Sequence, residues 1–271
     1  MNYQRRGGGI FVKNYLAILE RELKSYFVSP MAYIVIALFV LISGIFFYVI
    51  VSNFVEYSFR VMMQAQYYRM APPKLNVNLM AIRPMLHNMS VFALFWLPLL
   101  TMRLFAEEKK MGTIELIYTS PLTSLQIILG KFSASLVVFA AMLILTFVYQ
   151  VILFFYGNPE LNPILAGYLG LFLLGATYLA FGVFFSSLTD NQIIAAVTTF
   201  AIILCFWALG WLSDFVGPGL KTILSSISVI EHFNDFSKGI IDTKHIIYYL
   251  SFIFFGIFLT HLSLESNKWR Q

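Results

Sequence analysis

Apolar positions in this chain gather into six long runs, each close to the roughly 20 residues that cross a hydrocarbon core. They lie near 31–51, 86–104, 132–155, 164–188, 193–212 and 246–264, with charges kept to their ends. Ahead of the first run the pattern is different. Val12, Leu16, Leu19, Leu23 and Phe27 recur at three- and four-residue spacing, with Lys13, Glu20, Arg21 and Lys24 mostly on the other side. That spacing predicts an amphipathic helix over 10–29 lying in the membrane interface, or alternatively a solvated helix packed on the rest of the protein. Ser29 and Pro30 end it. Residues 52–85, with Tyr57, Tyr67, Tyr68, Arg60, Arg69, Pro72 and Pro73, read as a small external cap or an interfacial helix and turn. Residues 213–245 are too apolar for a solvated loop and too interrupted for a span. They predict two short helices dipping into the outer leaflet.

Between the second and third runs the pattern predicts a charged elbow. Arg103, Glu107, Glu108, Lys109, Lys110, Glu115 and Lys131 fall there, and each would cost roughly 2.5–3.5 kcal/mol at mid-bilayer, which places the segment in water. Ile114, Leu116, Ile117, Leu122, Leu125, Ile128 and Leu129 still carry enough apolar surface for short helices lying against a support. Gly112 permits a break between two such helices, Pro121 turns the chain back, and Thr123 or Ser124 caps the third span. A rigid charged elbow held between two spans is suited to receiving force from a soluble partner.

Composition agrees: 59% of the 271 residues are hydrophobic, 11% are charged and the mean hydropathy is +0.80, against roughly 25% charged in a soluble domain. The fold class expected is an all-α polytopic membrane protein, one transmembrane domain over 1–271. The N-terminal Arg5-Arg6 and three glycines lack the apolar core and cleavage site of a secretory signal. Cys205 is the single cysteine, which leaves no internal disulfide or cysteine-rich metal site. The net charge of +5 comes from residues flanking the spans, not from a basic cluster with interleaved aromatics, which argues against nucleic acid. Eleven Lys and Arg fall in the two tails and the elbow, against seven in the two external segments. Both termini and the elbow are therefore expected in the cytoplasm.

Candidate chemistry is sparse. Gly217-Pro-Gly-Leu-Lys221-Thr222 has Leu220 where a phosphate loop needs glycine before its lysine, and a span where it needs a strand. The four histidines fall on separate elements without metal-ligand spacing. Glu231, His232 and Asp235 could form an outward site, since 232 and 235 share a helix face; a hydrogen-bonded interfacial cluster is the simpler reading. Gly167, Gly170, Gly175 and Gly182 of the fourth run suit close helix approach. No ionisable residue falls near the middle of a run, unlike the path of an ion-coupled transporter. Energy for uphill transport would enter from outside the chain, through the elbow.

At this elbow the sequence resembles the permease subunits of type-2 ABC exporters. The stretches are Arg103-Leu-Phe-Ala-Glu107-Glu108, Gly112-Thr113-Ile-Glu115-Leu, Thr119-Ser120-Pro121 and Leu129-Gly130-Lys131. Agreement extends to Lys24-Ser-Tyr-Phe-Val-Ser29-Pro30-Met-Ala-Tyr33, to Ser186-Ser187-Leu-Thr189-Asp190-Asn191-Gln192 and to Glu231-His232-Phe-Asn-Asp235-Phe-Ser-Lys238-Gly239-Ile-Ile-Asp242. It is most similar to the gliding-motility-associated GldF type, with the NosY type next.

The resemblance implies six spans, a connecting helix before the first, a coupling helix after the second and re-entrant helices before the sixth. It also implies a bacterial inner-membrane dimer, with itself or a related chain, carrying separate ATPase subunits. ATP and magnesium would sit on those subunits, with no catalysis and no cofactor in this chain. Glu107, Glu108, Gly112, Thr113, Glu115 and Pro121 would couple to the ATPase, the glutamates touching it or the connecting helix; alternatively the glutamates form a solvated face. Phe95, Trp96, Cys205, Phe206 and Trp207 would be candidates for the translocation path, with packing or lipid contact as the alternative. Two other classes remain: an ATP-driven mechanical or assembly scaffold acting on external accessory proteins, and an integral-membrane lipid enzyme at the Glu231–Asp235 group.

Overall fold

A computed structural model describes residues 3–71, 75–115 and 122–268, with side chains over 11–71, 75–115 and 122–266. All regular structure among the described residues is helical. Helix α1 (Tyr3–Val28) stops where Ser29 caps α2 (Pro30–Tyr67), its hydroxyl accepting from the Met31 amide and Pro30 opening the first turn. A π-helical turn over Asn78–Ile82 leads into α3 (Arg83–Thr101) and, past a break at Met102, α4 (Arg103–Lys110). Then come α5 (Ser124–Gly157), α6 (Leu161–Leu188) and α7 (Gln192–Ser213). The short helices α8 (Pro218–Ile227) and α9 (Val229–Ser237) precede α10 (Thr243–Lys268).

Six helical stretches are long and apolar enough to cross a membrane: Pro30–Tyr67, Asn78–Lys110, Ser124–Gly157, Leu161–Leu188, Gln192–Ser213 and Thr243–Ser266. The six expected runs are all there, and most are longer than expected. The largest difference is at the first, where no break follows Val51. The helix continues to Tyr67, so the expected cap over 52–85 is in its first half an extension of span one. At 1.5 Å per residue its 38 residues span about 57 Å, well beyond a hydrocarbon core. Pro72, Pro73 and Lys74 lie outside the described residues. The paired short helices expected within 213–245 are α8 and α9.

The central element is α6, the most enclosed of the six spans, with α3, α5, α7, α9 and α10 packed around it. Its glycines explain this. Gly167, Gly170, Gly175 and Gly182 lie directly against Leu86, Phe236, Phe139 and Thr101, and a Cβ at any of them would overlap its neighbour. Without a hydrophobic drive between spans in lipid, this close contact is what holds helices together. At the end of the bundle away from the elbow, Asn78 Nδ2 donates to the Glu160 carbonyl and Glu160 N donates to Asn78 Oδ1, both at 2.9 Å. That pair fixes the start of span two to the turn between α5 and α6.

Candidate functional site

At the elbow, span two is bent rather than ended. The Ser186 hydroxyl at the end of α6 inserts into its helical ladder, donating to the Met102 carbonyl at 3.0 Å and accepting from the amides of Phe105 (3.0 Å) and Ala106 (3.2 Å). An inserted side chain of this kind kinks a helix without leaving its backbone unpaired. Lys109 Nζ adds a bond to the Ser187 carbonyl. The direction of α4 is thus set by the last turn of α6. Beyond α4 the chain turns at Gly112, whose φ of +70° strains any residue with a side chain, and Thr113 Oγ1 donates to the Glu108 carbonyl at 3.3 Å. The third span then starts with a capping box in which Thr123 and Gln126 bond each other's backbone amides. Thr123 is the cap; Pro121, with Leu116–Ser120, lies outside the described residues.

Four charges join α1, α4 and α5. Lys131 Nζ contacts Glu22 Oε1 at 3.0 Å and Glu108 Oε1 at 2.9 Å, and Arg21 Nη2 contacts the same two oxygens at 2.6 and 2.9 Å. Lys131 is 1% exposed, so its expected place in water is corrected: it lies inside, under α1. Burying it is tolerable because two carboxylates neutralise it, and its ammonium also lies 5.2 Å from the Phe105 ring centroid. Burial works to raise the pKa of Glu22, but Lys131 and Arg21 outweigh it and hold the carboxyl below its usual value. Beside them Arg103 stacks over the Tyr26 ring at 4.5 Å, and Tyr26 donates to the Leu100 carbonyl at 2.7 Å.

These contacts rotate α1 relative to its apolar stripe. Ile18, Glu22 and Tyr26 are buried, Leu19 and Leu23 are half-buried, and Val12, Leu16 and Phe27 are exposed. The helix therefore turns one partly polar face to the protein and leaves an apolar edge exposed. Of the other elbow residues, Glu107 and Glu115 make no ion pair among the described residues, Glu107 half-buried and Glu115 exposed.

A cavity of about 530 Å³ opens between α2, α3 and α7, with walls that include Phe95, Trp96, Ala196, Val197 and Phe200. Phe95 and Phe200 rings are 4.9 Å apart across it. Phe95 and Trp96 thus line a shared groove. Cys205 is exposed on α7, Phe206 packs instead on Phe181 and Phe252, and Trp207 is half-buried with its indole N–H unpartnered.

Before span six, Glu231 does not join His232 and Asp235; it accepts from Asn234 Nδ2 at 3.2 Å. His232 and Asp235 do not touch each other either. Both meet His245, at the start of α10: the two Nδ1 atoms are 2.6 Å apart, and His245 Nε2 lies 3.0 Å from Asp235 Oδ2. Gly239, at φ +88°, reverses the chain to allow it. The sequence reading missed His245; a short helix, a glycine and a cap-like Asp242 before the next helix were the signal that α9 and α10 form a hairpin. Among the described residues no group of three His, Cys, Asp or Glu is placed to hold a metal ion.

Six helices long and apolar enough to span, a helix packed ahead of them and a charged elbow after the second are the features of a multi-pass membrane protein. Residues 16–260 match the family described as ABC-2 family transporter protein, and the chain belongs to it as the permease subunit of an ABC transporter. Comparison with curated proteins gives no match.

Proposed function

We propose that this permease serves an ATP-driven exporter of the bacterial inner membrane, in which a separate ATPase docks on the elbow and moves α1, α4 and α5 as one body. The observation that carries this is the four-charge cluster. A push delivered near Gly112–Glu115 reaches span two through α4, and span three and the connecting helix through Lys131, because the ion pairs link all three. Spans two and three tilt and open a path outward. Two permeases, each carrying an ATPase, would enclose that path, and the groove bearing Phe95 and Trp96 is its proposed lining. Within the family, the motif resemblance supports the GldF type.

Glu115 tests the docking reading. It is exposed and unpaired among the described residues, so reversing its charge leaves the fold intact. Glu115→Lys should insert normally yet weaken ATPase binding by about 1–3 kcal/mol if the contact is partly desolvated, read as loss of the co-purifying ATPase. Wild-type assembly and activity in this variant would move the coupling contact to Glu107, Glu108 or Thr113.

Topology is tested by thiol labelling in a Cys205→Ala background. Lys110→Cys should resist an impermeant reagent in intact cells while Tyr68→Cys reacts, and the opposite pattern would invert the assignment. A second reading, ATP-driven force transfer to external proteins without cargo, is favoured by the extension of α2, where Phe59, Met62, Met63 and Tyr67 are exposed. ATP-dependent accumulation of cargo in proteoliposomes separates the two.

A further inference from the structure

The proton count of the His232–His245 contact is set by three hydrogen-bonding contacts. His232 Nε2 faces the Ser226 carbonyl at 3.2 Å, and a carbonyl only accepts, so this nitrogen carries a hydrogen. His245 Nε2 faces the Asp235 carboxylate at 3.0 Å and carries one for the same reason. A neutral imidazole has a single N–H. With both Nε2 positions protonated, two neutral rings would point bare Nδ1 lone pairs at each other across 2.6 Å. With both rings cationic, two N–H groups would collide there. One additional proton between them satisfies every contact, as an N–H···N bond.

We infer that His232 and His245 together hold a single proton, and that this bound proton latches the re-entrant helix α9 to the outer end of span six. Across the Nδ1 contact His232 is the acceptor of that proton, and the Nε2–H of His245 meets the Asp235 carboxylate. Burial pushes the pKa of His232 below the usual imidazole value, in keeping with that role. Tyr248 stacks on the His232 ring at 3.7 Å, and both histidines are at least nine-tenths buried. Asp235 is 32% exposed and provides the route by which the proton exchanges with external water.

The charged groups around the pair come from several elements, and Lys244 and Asp235 act on His232 in opposite directions. On α9, Asp235 also pairs with Lys238 at 2.9 Å, and Glu231 is bonded to Asn234. Around Asp235, Lys238 leads and His245 assists in holding the carboxyl below its usual pKa against partial burial. From α10 come Lys244, Tyr248 and Tyr249; from α3, Arg83 and His87, the latter bonded to Ser237 at 3.2 Å. Helix α6 carries no charged residue and adds Tyr178, while Asp214 after α7 and Lys221 of α8 pair with each other at 3.1 Å.

The latch therefore has two limits. As pH rises through the deprotonation of the pair, the lone pairs repel and α9 separates from α10. As pH falls below the usual imidazole range, a second proton is forced on His232, whose depressed pKa opposes it, and the contact breaks again. This inference concerns proton binding by the chain itself and stands independently of what the ATPase drives.

The chain has four histidines, so nitrogen-15 histidine NMR of the intact permease in lipid bilayers can resolve them. At neutral pH one imidazolium coupled to a neutral partner through an N–H···N bond is expected, and both signals should vanish in His232→Gln and in His245→Gln. Asp235→Asn should discharge the imidazolium. A spin-label pair at Asn234 of α9 and Ile247 of α10, in a Cys205→Ala background with both histidines in place, should show its short distance only over an intermediate pH window. Two neutral rings at neutral pH, or a distance unchanged from acid to alkaline conditions, would overturn the proposal, and neither readout requires the variants to fold.

Discussion

Lys131→Met is expected to be among the most damaging single substitutions outside the bundle core. It removes a 1%-exposed cation and leaves Glu22 and Glu108 facing each other, with only the half-exposed Arg21 between them. One Glu108 oxygen is already buried without a partner. Breaking a buried pair by deleting one member costs about 3–5 kcal/mol, and Arg21, which is 55% exposed and screened, recovers little of it. The measurement is thermal unfolding of the purified permease together with ATPase coupling in the assembled complex. Adding Glu22→Gln and Glu108→Gln to the methionine variant should restore stability, since the uncompensated carboxylates are then gone, but not coupling, because the link between α1, α4 and α5 stays cut. Wild-type stability in Lys131→Met alone would mean that the cluster carries no structural energy. The same cluster sets an acid limit. Glu22 has a depressed pKa in the folded state, so its contribution is complete at neutral pH and is lost as pH falls through the carboxylate range.

Gly175→Leu should act on the bundle itself. A Cβ at 175 overlaps the Phe139 ring, and α6 is the helix around which the other spans pack. Overpacking usually costs about 1–3 kcal/mol and sometimes more, while the helix-propensity gain over glycine is about 1 kcal/mol. The expected result is loss of monodisperse protein in detergent and a lowered Tm, with Gly175→Ala milder. Phe139→Leu combined with Gly175→Ala should recover much of the loss by vacating the overlapped space. An unchanged Tm in Gly175→Leu would show that α5 and α6 can separate without penalty.

The sequence by itself determined that six segments are long and apolar enough to cross a membrane, that an amphipathic helix precedes them, and that Ser29-Pro30, Gly112 and the Thr123-Ser124 pair punctuate the chain. These features are written in period, length and backbone chemistry, which a single strand of residues carries. It also singled out the small residues of α6, because close approach leaves a compositional mark. What it did not determine is which charges are solvated. Lys131 reads as a span-flanking residue, and only the crossing of α1 over α5 at Ile18 and Gly130 brings Glu22 near enough to bury it. Apolar periodicity likewise reported the outward edge of α1 at Val12, Leu16 and Phe27, not the inward face built on Ile18, Glu22 and Tyr26, since a buried carboxylate with two cations counts as polar in any pattern. His245 joined His232 and Asp235 for the same reason: ion pairs and hydrogen bonds depend on distances of about 3 Å between residues far apart in sequence. Tertiary packing alone sets those distances.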